Sequence, residues 1–473
     1  MAFPIIGAGD SSSAEYIVEN SLRLDGTDAR LVGQNSSGDP FNSAGNRRTW
    51  TVSFWIKQGK LSHIAQHLFD AGTGTTWGGL YISTDQKLHF YAENSSSAVM
   101  HLKTSALFRD YSAWWHFVVA VDTTQATASN RVKIYVNGVR INQFATETYP
   151  SQNLEMAYNN NVEHDLACYD SGAGASNFYS GYMAEFFFID GTQYAATDFG
   201  EFDISGIWKP KDAKDDLTFG SNGAYLEFKQ SGSNADANGY GADTSGNGNH
   251  WGHAGHTAGA TMTDTPTNNF CTWNPDFNGN ELEPSYLMGN LYLEHANDPS
   301  TSAGTFIMYG GKWYYECLLK AGAQMLVGYT CADYVPMSAA VNNVISGYYG
   351  YGTYYSRDGA HNLGSGVGAL SAGDVAGLAV DVDNKSMKIY KNGSIQATIT
   401  GISVASPSIP VVYMDNNNPP ADVVANFGAD GTFTGQKTAG NNSDANGWGN
   451  FLYTVPTGYY AICTKNLAEF GGR

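Results

Sequence analysis

Five tyrosines crowd one short stretch, YYGYGTYYSRDG: Tyr348, Tyr349, Tyr351, Tyr354 and Tyr355. Tyrosine rings stack on sugars and dominate protein contacts, so the stretch is a candidate ligand face; the alternative is a core strand. A second cluster, Asp243, Ser245 and Asn247 in DTSGNGN, offers the hard oxygen ligands calcium takes. It lacks the spacing and terminal Glu of an EF-hand loop, so a plain Gly/Asn turn competes with it; calcium is the one cofactor suggested. His250, His253 and His256 recur every third residue beside Trp251, but Gly252, Gly255 and Gly259 oppose the helix that would gather them on a metal. Glu201-Phe202-Asp203-Ile204 begins a same-strand glycosidase pattern, E-x-D-x-(x)-E. Ser205 and Gly206 then stand where its second Glu belongs, so an acid/base partner is missing. Gly364-Ser365-Gly366-Val367-Gly368 precedes no helix that could hold a phosphate and reads as a turn. No catalytic residue emerges, and the chain is expected not to be an enzyme.

The elements that must carry these groups are strands. Trp50–Lys57 alternates, with Trp50, Val52, Phe54 and Ile56 on one face and a face polar apart from Trp55 on the other, which predicts a half-buried strand. Leu80–Ile82 and Leu88–Tyr91 flank a turn and suggest a hairpin; Trp114–Val121 and Tyr182–Ile189 are apolar on both faces and read as buried strands. Asn137-Gly138 and Asn392-Gly393 each separate apolar runs, the strongest short hairpin signal. A repeat joins them. Val119–Asp122 precedes Lys133–Gly138 as Leu378–Asp381 precedes Lys388–Gly393, so one strand–turn–strand unit occurs twice.

Composition agrees. The 473 residues suit two or three domains, and 55 Gly, 30 Tyr and only 15% charged residues favour short strands over long surface helices. With 44 acidic and 25 basic residues the net charge is -19. That argues against nucleic-acid binding, which needs a basic surface, and against an anionic membrane. Cys168, Cys271, Cys317, Cys331 and Cys463 are irregularly spaced and odd in number, as buried free thiols in a reducing compartment would be. The start, MAFPIIGAGDSSS, has no basic segment or long apolar core of a secretory signal, and no apolar run is long enough to span a membrane.

Particular motifs resemble known families. Ser21–Gly26, Trp50–Lys57, Trp114–Asp122 with Val132–Gly138, and Gly181–Asp190 resemble the strands of a laminin-G/concanavalin A-like lectin domain. Gly311–Glu316, Gly373–Asp383, Met387–Gly393 and Asn426–Gly428 resemble, in order, the strands of a SPRY domain. With Phe199–Pro210, Asp243–Asn249, Asp264–Phe270 and the ending Tyr453–Leu467, the whole resembles large virion proteins of marine bacteriophages. The fold class expected is all-β: two concanavalin-like (jelly-roll) antiparallel sandwiches in tandem. The expected division is an arm (1–15), a lectin-like sandwich (16–210), a turn-rich connector (211–285), a SPRY-like sandwich (286–435) and a C-terminal segment packing on it (436–473). The resemblance implies a tail fibre, receptor-binding protein or capsid decoration located in the virion and assembled in the host cytoplasm. Its partners would be other virion proteins, a host glycan or receptor, and further copies of itself, as a trimer. A pure assembly component and a glycan-degrading enzyme are the alternatives.

Overall fold

The computed structural model describes residues 15–33, 40–60, 64–170, 172, 174–256, 258–277, 284–294, 300–322, 325–331, 345–355, 364–402, 407–414 and 421–471. These form four large, essentially antiparallel sheets. Sheet A runs Val139–Arg140, Val132–Val136, Trp114–Asp122, Thr49–Gln58, Ser180–Asp190, Ser21–Asp25, Thr261–Met262, with Ala224–Leu226 also paired to Ser180–Asp190. Sheet B runs Phe144–Thr148, Ser97–Thr104, Leu88–Asn94, Thr76–Ile82, Gln66–Thr73, His164–Leu166, Arg30–Val32, Gly252–Ala254. Sheet C centres on Lys312–Ala321 and Val375–Asp381, and sheet D on Met325–Cys331 and Ser408–Met414.

Trp50, Phe54 and Phe117 of sheet A meet Leu80, Phe90 and Leu102 of sheet B in one core. The opposite face of sheet A is also buried: Trp55, Trp114, Tyr182 and Phe187 join Phe199, Trp208 and the core residues Trp313, Tyr315 and Val327 of the second sandwich. Sheet A is therefore a middle layer. This corrects the half-buried strand expected at Trp50–Lys57, which is buried along its length. Trp55 stacks on His116 at 4.6 Å, and Lys57 ends in a buried ion pair with Asp264, 2.8 Å away.

The sequence repeat is a structural one. Asn137 and Gly138 both take positive φ (46° and 79°), as do Asn392 and Gly393 (48° and 78°), the backbone a two-residue type I′ turn requires. In each copy the Asn side chain also clamps the neighbouring strand: Asn137 Oδ1 accepts from the His116 N–H, and Asn392 Oδ1 from the Val375 N–H, both at 2.8 Å. A ring from a later segment lies on each glycine, so that a Cβ there would overlap Trp208 or Tyr453. Two hairpins of one design thus sit in equivalent places in the two sandwiches.

The connector is more ordered than its Gly/Asn-rich composition suggests. Gly252–Ala254 extends sheet B, while Ala224–Leu226 and Thr261–Met262 pair on to sheet A. The C-terminal segment lies over sheet C. There buried Glu316 accepts from the Leu452 and Tyr453 N–H groups, both at 2.9 Å, and from the Tyr314 hydroxyl at 3.1 Å.

Candidate functional site

Strand alternation splits the tyrosine patch between two environments. Tyr348 is fully buried, so its ring is withheld from a ligand, and Tyr354 is partly buried against the same core. Tyr348 donates its hydroxyl to the Gly368 carbonyl. Tyr349 and Tyr355 point to the other face of sheet D beside Tyr413, and Tyr351, at the turn, is half exposed. Of the five expected ligand residues, Tyr348 belongs to the core reading instead, and Tyr354 lies at the core's margin.

The calcium candidate is explained without an ion. Asp243 Oδ1 accepts from the N–H groups of Tyr225 and Ser245, and Oδ2 from the Ser245 hydroxyl and the Asn249 N–H, at 2.8–2.9 Å. Asn247 donates its amide to the carbonyls of Gly220 and Gly223. A cation at Asp243, Ser245 and Asn247 would have to displace four donors, so these residues fit a turn and do not fit a calcium cage. His250 Nδ1 accepts from the Asp243 N–H in the same turn, apart from His253 and His256, which pack against Tyr240. Glu201 and Asp203 lie on a two-strand hairpin, Gly200–Phe202 with Trp208–Pro210, and Asp203 Oδ1 caps the Ser205 and Ile207 N–H groups. Gly364–Ser365 is a short edge strand of sheet D.

A denser constellation covers the outer face of sheet B. Leu80, Ile82, Leu88, Phe90, Ala92, Met100 and Leu102 point inward, which leaves Trp77, Tyr81, His89, Tyr91 and His101 outward. The strand Gln66–Thr73 carries a bulge between His67 and Phe69. The extra residue buries both Leu68 and Phe69 and turns His67 and Asp70 to the same outer side. There His67 Nδ1 lies 2.7 Å from Asp70 Oδ2.

The rings form a closed belt. Tyr169 meets His67 (5.4 Å between centroids), His67 stacks on Tyr81 (4.6 Å) and Tyr81 on His89 (4.9 Å). His89 meets His101 (5.2 Å), His101 meets Tyr91 edge-on (5.4 Å), and Tyr91 meets Trp77 (5.3 Å), which returns to Tyr169 (4.9 Å). Gly79 lies on the strand between Trp77 and Tyr81, and a Cβ there would stand 2.7 Å from the Trp77 ring and 3.2–3.3 Å from the Asp70 oxygens.

Carboxylates sit beneath the belt. Asp165 is paired directly opposite Asp70 on the adjacent strand. Burial pushes Asp70 up to about 6 against the opposing pull of His67, and burial, reinforced by Glu163, pushes Asp165 up to about 8. Arg30 reaches Asp170 at 2.9 Å and Asp165 at 3.4 Å. Although burial alone would raise Asp170, the Arg30 hydrogen bond and the Gly172 N–H hold it low. The outer surface of the face therefore combines ring surfaces and tyrosine hydroxyls, a set suited to a neutral polyhydroxylated ligand, with the carboxyls buried beneath it. The guanidinium of Arg30 is already compensated by Asp170. The sequence signal was the outward set of the alternation; the His67–Asp70 and Asp70–Asp165 contacts depend on the bulge and on a long-range strand pairing.

Residues 33–196 match the family model described as Concanavalin A-like lectin/glucanases superfamily, in agreement with the sandwich built by sheets A and B. Solved structures similar to parts of the chain include a SAP-like pentraxin from Limulus polyphemus, at 14% identity over 38% of this chain and 80% of that one, TM-score 0.29. The SPRY domain of human HERC1 is 14% identical over 32% of this chain and 96% of that one, TM-score 0.28. The CBM40 of a Ruminococcus gnavus IT-sialidase, bound to α2,3-sialyllactose, is 15% identical over 35% of this chain and 90% of that one, TM-score 0.26. No curated protein sequence matches the chain.

Proposed function

We propose that this chain is a non-enzymatic, glycan-reading component of a bacteriophage particle, a tail fibre, receptor-binding protein or capsid decoration, and that it grips host glycans with the ring belt of sheet B. The observation that carries the glycan reading is the belt itself: seven rings around Gly79. The lectin-type family match over 33–196 supports it, and the virion setting rests on the motif resemblance along the chain. Binding without cleavage fits the burial of Asp70 and Asp165, 2% and 3% exposed, which keeps the raised carboxyls below the surface a glycosidic oxygen would touch. The second sandwich, SPRY-like in its motifs, would serve as a spacer or a further recognition surface.

Labelled chain applied to candidate host cells should bind saturably, and periodate treatment of the cells should abolish binding. Trp77→Ala should weaken that binding at least tenfold, about 1.4 kcal/mol, as removing a central aromatic contact does, with an unchanged circular dichroism spectrum because Trp77 lies outside the core. Periodate-insensitive binding, or full binding by the variant, would refute the reading.

One observation favours an assembly role beside this one. The hairpin at Gly200–Pro210 exposes Phe202, Ile204 and Ile207, with Ile204 wholly in solvent, and such a tip suits insertion into another virion protein or a further copy of this chain in a homo-trimer.

A further inference from the structure

Two members of the belt meet through nitrogen atoms rather than ring faces. His89 and His101 stand on neighbouring strands, Leu88–Asn94 and Ser97–Thr104. His101 Nε2 lies 3.2 Å from His89 Nδ1. The other nitrogen of His89, Nε2, is 3.1 Å from Asp85 Oδ1. A carboxylate can only accept, so Nε2 of His89 carries the proton and Nδ1 turns a lone pair toward His101. We infer that His89 Nδ1 and His101 Nε2 form a binding site for a late first-row divalent cation such as Zn2+, with Asp85 as the group that orients His89.

The geometry fits. At the usual zinc–nitrogen distance of about 2.0–2.1 Å, two nitrogens 3.2 Å apart subtend about 100° at the metal, close to tetrahedral. His101 needs only to carry its proton on Nδ1 instead of Nε2, a change of tautomer with no net proton transfer. Asp85, His89 and the ion then form a carboxylate–histidine–metal line, the arrangement that fixes a ligand ring and raises its basicity. Among the described residues no three His, Cys, Asp or Glu side chains converge on one metal position, so the pair supplies two ligands and water the rest. His101 is partly exposed, which leaves the ion a way in. Lys87 and Lys103 turn positive charge toward the histidines. Lys103 also lies 3.4 Å from Asp85, so the site depends on the Asp85 charge.

Titration of the metal-free full-length chain with ZnSO4, followed by calorimetry, tests this without any glycan, so its outcome is independent of the adhesion reading. Zn2+ should bind saturably, while MgCl2, a hard cation that shuns imidazole, should not register at this site. His101→Gln should remove one binding site. Asp85→Asn, a change on a partly exposed turn, should weaken zinc about 10–100-fold. His253→Gln should leave the titration unchanged. Absence of zinc binding to the wild-type chain, or wild-type affinity and stoichiometry in His101→Gln, would overturn the site.

Discussion

Asp264→Ala is expected to destabilise the chain by about 3–5 kcal/mol, the cost of leaving a buried charge without its partner. Both side chains of the Lys57–Asp264 pair are fully buried. The ammonium spends its three donors on Asp264 Oδ2 (2.8 Å), Asn269 Oδ1 (2.7 Å) and the Phe270 carbonyl (2.7 Å). The other carboxylate oxygen accepts from the Trp114 indole N–H at 3.1 Å and the Phe270 N–H at 3.2 Å. Alanine therefore strands a cation and also orphans an indole N–H in the layer between the sandwiches. The double variant Lys57→Met with Asp264→Leu removes both charges and should recover much of the loss, since apolar replacement of a whole buried pair is often neutral or better. Urea unfolding of the three proteins decides it. An Asp264→Ala midpoint equal to wild type, or a double variant no more stable than the single, would show that the pair is not held as described.

The pair has a structural consequence beyond its energy. Asp264 belongs to the connector and Lys57 to sheet A, while Arg23 of sheet A reaches Asp430, just past the sheet C strand Asp422–Asn426, at 2.6 Å with both side chains buried. These links, together with the Tyr182 hydroxyl donating to the Gly289 carbonyl at 2.7 Å, tie the layers at fixed points. Non-directional apolar packing alone would allow the two sandwiches to slide.

Much of this architecture was legible in the sequence because it depends on local pattern. The two Asn-Gly turns dictate their hairpins through backbone conformation, and the apolar runs at Trp114–Val121 and Tyr182–Ile189 announce strands covered on both faces. Trp55 was harder to place. Its strand alternates like a half-buried one, and only the arrival of Trp208 and the second sandwich, more than 150 residues later, buries its polar face. The tyrosine patch was legible as a strand but not in its parity, because which tyrosines face the core follows from the register Tyr348↔Tyr354 and Tyr349↔Thr353. The belt on sheet B was missed for the same reason. His67 and Asp70 share a face only through a bulge, and Asp165 meets Asp70 only through pairing of distant strands.

Stability is expected to fall as pH rises from 6.5 to 8.5, by an amount on the order of 3 kcal/mol. Four buried carboxyls set the direction. Burial pushes Asp165 up to about 8, Glu185 and Glu316 up to about 7, and Asp70 up to about 6. In the unfolded chain these groups ionise near 4, so over this window the folded state binds more protons than the unfolded state. The stabilisation they contribute is complete in acid and is lost as pH climbs through their folded values. Two opposing sets of residues act mainly below the window. Burial pushes His116 and His164 down to about 3 and His256 down to about 4, so their contribution is lost mainly as pH falls through about 6.5 and offsets only about 1 kcal/mol of the drop within the window. Asp122, Asp374 and Asp381, held low by hydrogen bonds that outweigh their burial, lose theirs only below about 4. Thermal unfolding at pH 6.5, 7.5 and 8.5 at constant ionic strength should give a midpoint that drops at each step. Asp165→Asn should flatten the drop most, because Asp165 is the group that titrates highest. A midpoint that rises from pH 6.5 to 8.5 would mean that these carboxyls are already ionised in the folded chain, Asp165 through Arg30 and Glu316 through its backbone donors.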